Sequence, residues 1–299
     1  MAKTRFRPDR GLSFRMGLTM LLLAVLYVAL VWAISYYTQG GWWLGLIIGL
    51  GIFWAQWYFS DSIAMRGMRA REVTPQQEPQ LHAMIDRLCA QANMAKPRVA
   101  VADTDIPNAF ATGRSPKRAV VCATTGIMRR LDERELEGVM AHELSHVAHR
   151  DVTVMTIASV VGVLAGFLTR MTLWSNIGRS RDQGGALMVL VITVTAMVVY
   201  FVSFLLTRLL SRYRELAADR AGAYLTGQPS QLANALTKIT GEMSRIPTRD
   251  LRAAEPYNAF FFAPAVTNKV DLASLFASHP PLERRLDQLG RISRELSRE

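Results

Sequence analysis

Two histidines four residues apart, His142 and His146, bracket Glu143 in AHELSHVAHRD, residues 141–151. On a helix this spacing puts both imidazoles on one face, a turn apart, where they can grip one metal ion. Glu143 is offset around the same helix. It is placed to reach a metal-bound water rather than the metal. Zinc would lower the pKa of that water toward about 7, and Glu143 would take its proton as a general base.

A catalytic zinc needs three protein ligands and one open position. Two residues compete for the third place. His149 shares the face of His142, but helical rise puts it about 10 Å away. Three ligands in a row on one straight helix do not surround an ion. Glu215, in SRYRELAADRAG, is the better candidate. His146 lies shortly before an apolar segment and Glu215 shortly after the next one. An antiparallel pair of membrane helices would bring both residues out on the same side. Asp219 is one turn after Glu215, placed to orient a ligand histidine. His279, in ASHPPLERRL, could hydrogen-bond the oxyanion of a tetrahedral intermediate, and Arg285 could orient it or bind substrate.

The elements around these residues are largely apolar. Half of the 299 residues are hydrophobic, and the mean hydropathy is +0.14. Four uncharged runs fit membrane spans: Gly17–Tyr37, Gly41–Phe59, Val152–Thr169 and Ala186–Leu206. Trp and Tyr gather at the ends of the first two, as interface residues do. The net charge of +11 is not a nucleic-acid signal, because its position follows the membrane. Basic residues precede the first run (Lys3 to Arg15) and follow the second (Arg66, Arg69, Arg71) and the fourth (Arg208, Arg212, Arg214, Arg220). By the positive-inside rule both termini and residues 60–151 face the cytoplasm. Arg170, Arg179 and Arg181, between the third and fourth runs, go against it. Cys89 and Cys122 lack metal-ligand spacing and read as free thiols of a cytoplasmic domain.

The predicted organisation is a basic tail and first membrane hairpin (1–60), a first part of a cytoplasmic domain that carries the metal motif (61–151), a second hairpin (152–206) and the rest of that domain (207–299). Residues 74–94 read as a helix capped by Thr74, with Pro75 first and His82 solvated. The runs 97–103, 108–113 and 118–127 read as a small antiparallel sheet. Residues 131–151, 207–227, 230–245 and 280–296 read as helices. The fold class is a mainly α membrane protein with four transmembrane helices and a cytoplasmic α+β zincin-like domain.

AHELSHVAHRD, two apolar spans, SRYRELAADRAGA and SHPPLERRL follow in order, after NAFATGRSPKRAVVCATTGIM. Together they resemble the HtpX membrane metalloproteases, gluzincins related to the CAAX prenyl proteases. The resemblance implies one zinc held by His142, His146 and Glu215, with Glu143 as base. It implies that His279 and Arg285 assist at the oxyanion or substrate. NAFATG would be the edge strand beside the substrate, with Asn108 and Ala109 closest. It further implies polypeptide substrates, damaged or misassembled membrane proteins, cut at the cytoplasmic face of the bacterial inner membrane in quality control and stress response. A CAAX-type processing enzyme, an idle zinc-binding scaffold and a metal transporter are the competing readings. The last lacks the intramembrane His, Asp or Glu that a transport path needs. Autocleavage in 246–272 or near the termini is a further expectation.

Overall fold

The computed structural model describes residues 10–38, scattered positions between 47 and 55, 57–176, 183–243 and 279–298. In chain order the elements are α1 (Arg10–Thr38), α2 (Ser60–Gly67), β1 (Ala70–Glu72), α3 (Pro79–Ala92), β2 (Arg98–Ala102), β3 (Ala109–Thr112), β4 (Val120–Thr124), α4 (Thr125–Arg130), α5 (Glu133–Ala148), α6 (Asp151–Asn176), α7 (Gln183–Thr226), α8 (Pro229–Met243) and α9 (Leu282–Leu296). The described residues fall into two compact units. One draws on Phe59–Thr153 and Ser211–Glu299, the other on Gly11–Tyr58 and Val154–Leu210.

In the first unit the strands form one sheet in the order β1-β2-β4-β3. The sheet is mixed, which corrects the antiparallel expectation. β1 pairs with β2 and β3 with β4 antiparallel, but β2 and β4 run parallel. Alternation of apolar residues fixes which face of a strand is buried; it says nothing about strand direction. β4 sits between β2 and β3 and is buried throughout. The run 118–127 also divides. Thr124 ends β4 and caps α4, its hydroxyl accepting from the Ile127 amide at 3.1 Å. Gly126 lies against the Asp105 carbonyl, whose oxygen would be 2.3 Å from any Cβ there. That contact fixes the loop leading into β3, the edge strand.

Helix α3 starts at Pro79, not Thr74. Residues 74–78 form a turn in which the Thr74 carbonyl accepts from the Gln77 and Glu78 amides. A helix starting at Pro75 would carry Pro79 inside it, where the ring lacks the N–H that the ladder needs; Pro79 is tolerated only in a first turn. His82 is buried rather than solvated, its Nε2 2.9 Å from the Val73 carbonyl oxygen. Ile85, Val99, Val121, Met140, Leu236 and Ile292 join sheet and helices in one core. Cys89 and Cys122 are buried free thiols, and burial pushes them up to about 11 and about 12. They pack as small apolar groups.

In the second unit, Ala158, Gly162 and Gly166 form a stripe of small residues on α6, which meets α7 around Val199, Tyr200 and Ser203. Small residues at four-residue spacing let helix backbones approach closely, as in membrane helix pairs. The Thr207 hydroxyl donates to the Ala158 carbonyl at 3.4 Å. Among the described residues one helix, Thr193–Thr226, is long and apolar enough to cross a membrane. A second qualifies only if Glu133–Ala148 and Asp151–Gly166 count as one bent span, and Ser13–Ala29 is a shorter apolar helix. The run Gly41–Phe59 lies largely outside the described residues, as do residues 246–272.

Candidate active site

The site is built on α5, α7 and the start of α9. Helix α5 begins with a capping box. Asp132 Oδ1 accepts from the Glu135 amide at 2.9 Å, and Glu135 Oε2 accepts from the Asp132 amide at 3.1 Å. Lys238 of α8 pairs with Glu135 at 2.6 Å. His142 and His146 then lie on the face of α5 that meets α7. α7 supplies Glu215, Asp219 and Gly222 at helical spacing along its facing side.

His142, His146 and Glu215 are brought together, and each offers a ligand atom within 4.8 Å of the others. The two Nε2 atoms are 3.1 Å apart. Glu215 Oε1 lies 3.5 Å from His146 Nε2, and Oε2 lies 3.8 Å from His142 Nε2. A tetrahedral zinc with bonds of about 2.0–2.2 Å sets its ligands about 3.3–3.6 Å apart. The triangle therefore matches the ion in size. The donor chemistry matches too, because both rings turn Nε2 inward and engage a carboxylate through Nδ1. His142 Nδ1 is 2.9 Å from Asp219 Oδ1, and His146 Nδ1 is 2.5 Å from Asp151 Oδ2. Such a partner fixes tautomer and ring orientation and raises ligand basicity. His149 does not join them. It is exposed at the end of α5, its Nδ1 2.8 Å from the Ser145 carbonyl oxygen.

Burial shapes the charges. It pulls His142 down to about 4, which keeps the ring neutral as a metal ligand must be. Burial pushes Glu143 up to about 8. The Ala111 amide of β3 donates to the Glu143 carboxylate and works against that rise. Burial alone would raise Glu215, but His279 and the contact with His146 hold it well below the ordinary carboxylate range.

His279 Nδ1 lies 2.9 Å from Glu215 Oε2, while its Nε2 is buried and has no partner among the described residues. Arg285 is buried and forks Asp219 through Nε at 2.7 Å and Nη2 at 2.6 Å. Burial works against the Arg285 charge, yet the Asp219 carboxylate raises its pKa above the ordinary value. Asn108 and Ala109 are both buried. The Thr124 amide donates to the Asn108 carbonyl at 2.9 Å, so Asn108 faces β4 and Ala109 turns its backbone groups to the outer edge.

Asp151 and Gly222 are site residues that the sequence reading did not single out. Asp151 has no helical register with His146. Gly222 stands in SRYRELAADRAGA with no mark beyond its size. A Cβ at Gly222 would be 3.0 Å from the His142 amide nitrogen and 3.3 Å from its Cα. Glycine thus sets the spacing of α7 against α5 at His142. Gly222→Ala is expected to spread the two helices and cost about 1–3 kcal/mol of stability, as overpacking does. Zinc affinity is expected to fall with it. An unchanged melting temperature together with unchanged zinc affinity would refute this.

An HExxH helix and a carboxylate helix crossing at a triad of ligand atoms, beside the edge strand of a small sheet, define a metalloprotease. The chain belongs to peptidase family M48, whose family model matches residues 75–293. It is 55% identical over 295 residues to "Protease HtpX homolog 1" of Streptomyces coelicolor, covering 98% of this chain and 97% of that protein. It is 49% identical to "Protease HtpX homolog" of Moorella thermoacetica, covering 96% of each. Its fold is similar to the crystal structure of S. mikatae Ste24p, with a TM-score of 0.54 at 17% identity, covering 94% of this chain and 67% of that one.

Proposed function

We propose that the chain is a zinc-dependent integral-membrane endopeptidase that hydrolyses misfolded or damaged membrane proteins at the cytoplasmic side of a bacterial inner membrane. The observation that carries this is the His142–His146–Glu215 triangle with the carboxyl of Glu143, itself buried, on the next position of the same helix. Zinc in that triangle supplies Lewis acidity toward a water molecule and a peptide carbonyl. Glu143 takes the proton of the water and returns it to the leaving amine. His279 contacts Glu215 through Nδ1, and its Nε2 is the ring atom left for the developing oxyanion. Arg285 holds Asp219, which holds His142. An extended substrate adds to β3 beside Ala109, with Asn108 fixing the strand from behind.

The membrane reading comprises four spans in two hairpins, both termini cytoplasmic, with the protease domain assembled from 61–151 and 207–299. Large apolar side chains on α1 and α7 support it, among them Val28, exposed at 64%, and Met197, exposed at 55%. Side chains of this kind belong in lipid.

The test is metal removal and restoration. Protein purified in detergent and stripped by a chelator is expected to leave an unfolded membrane protein intact. One zinc per chain is expected to restore cleavage of the unfolded substrate, with the folded form spared. Cleavage that survives the chelator would sink the metalloprotease mechanism. Equal cutting of the folded and unfolded substrate would sink the quality-control role.

A further inference from the structure

His146 is the less enclosed of the two ligand histidines, its side chain exposed at 16% against 1% for His142. It has the greater need of a partner to hold its ring. That partner is Asp151, five residues on. On a straight helix residues five apart point about 140° away from each other, so Asp151 could not meet His146. The contact exists because α5 stops at Ala148. Arg150 then takes a left-handed conformation, φ +57, and α6 restarts at Asp151. A left-handed conformation is strained for a non-glycine residue, and such strain collects where surrounding contacts hold it in place.

The second oxygen of Asp151 meets Arg214, which is buried, with its side chain exposed at 3%. Arg214 directly precedes Glu215 on α7. The two histidines are thus served alike. His142 is held by Asp219 and Asp219 by Arg285; His146 is held by Asp151 and Asp151 by Arg214. The difference lies in what delivers the arginine. Seating α7 brings Glu215 to the triangle and, through the neighbouring residue, Arg214 to the carboxylate behind His146.

We propose that Asp151 and Arg214 are positioning residues that orient His146 for the metal, and that docking α7 completes the third ligand and fixes the second in one step. This rests on the reading that His142, His146 and Glu215 hold zinc.

The experiment measures zinc affinity of the full-length protein in detergent by competition with a chromophoric chelator, alongside the melting temperature without metal. Asp151→Ala and Arg214→Met are each expected to weaken zinc binding about 10–100-fold, the usual cost of losing the group behind a ligand histidine. Asp151→Asn, which keeps the shape, is expected to fall between Asp151→Ala and wild type. Combining Asp151→Ala with Arg214→Met is expected to be no worse than Asp151→Ala alone, because the arginine acts through the carboxylate. Lys238→Met breaks the pair with Glu135 away from the site and is expected to lower the melting temperature without moving zinc affinity. A Glu215→Gln variant reports on the site itself. If it loses the single zinc while Asp151→Asn and Asp151→Ala bind as tightly as wild type, the positioning role is overturned and the metal site stands. If wild type takes up no zinc, or Glu215→Gln binds like wild type, the metal site fails and this inference with it.

Discussion

Glu143→Gln is expected to bind one zinc as tightly as wild type and to cleave about 10²–10⁴-fold more slowly. That is the range a positioned general base contributes. The argument runs from geometry. Glu143 is not among the three atoms of the ligand triangle, so the substitution leaves the donors in place. A glutamine fills the same buried space, and its carbonyl oxygen can still accept from the Ala111 amide. What it cannot do is take a proton. The variant also carries a stability signature. Burial puts the Glu143 carboxyl at about 8 in the folded chain, against an ordinary 4.5. As pH rises from about 4.5 to about 8, the unfolded chain releases this proton while the folded chain keeps it, so folded stability falls over that window. Glutamine has no proton to release. The metal-free variant should therefore gain on metal-free wild type in melting temperature as pH rises across the same range. A variant that cuts at the wild-type rate would remove Glu143 from the chemistry. One that loses zinc would make it a structural residue of the site.

Part of this site is written in the sequence because it obeys helical spacing. His142 with His146, and Glu215 with Asp219, each stand four apart, and a helix needs nothing more to align them. The partnership of Asp219 with His142 follows the same rule. Asp151 breaks it. The break that aims it at His146 lies at His149–Arg150, which has neither glycine nor proline to announce it. The left-handed turn goes with the Arg214–Asp151–His146 contacts, which are tertiary. His82 is a similar case. It lies off the apolar face of α3, but the carbonyl of Val73 reaches over to bury it. The direction of β4 is invisible for another reason. Alternation is the same whichever way a strand runs, and only the placement of β4 between β2 and β3 makes the sheet mixed. Thr124, read as part of a strand run, carries the signal for its own change of role, since a threonine hydroxyl three residues before Ile127 is a helix cap.

Removing Arg285 is expected to have the second large effect, through the folded state before it reaches the chemistry. Arg285 and Asp219 are 2% and 0% exposed, and two charge-assisted bonds join them. With Arg285→Met the Asp219 carboxylate stays buried with His142 as its remaining close partner, and its charge is no longer balanced by the guanidinium. Stripping one partner from a buried pair costs about 3–5 kcal/mol, largely because the other charge is left behind. Arg285→Lys should recover little, since an ammonium cannot reproduce the two parallel bonds of the guanidinium fork. Removing the stranded charge is the decisive step. Asp219→Asn combined with Arg285→Met should be more stable than Arg285→Met alone, because an amide needs no counter-ion and its oxygen can still accept from His142 Nδ1–H. Zinc affinity should not recover in parallel, because a neutral amide does not raise the basicity of the ligand ring as a carboxylate does. Stability and metal affinity thus separate in the double variant. Melting temperatures of the metal-free proteins and zinc competition on the same samples check both halves. An Arg285→Met protein that melts with wild type would show that the pair carries no weight in the fold. A double variant that regains wild-type zinc affinity would show that the Asp219 charge does not act on His142.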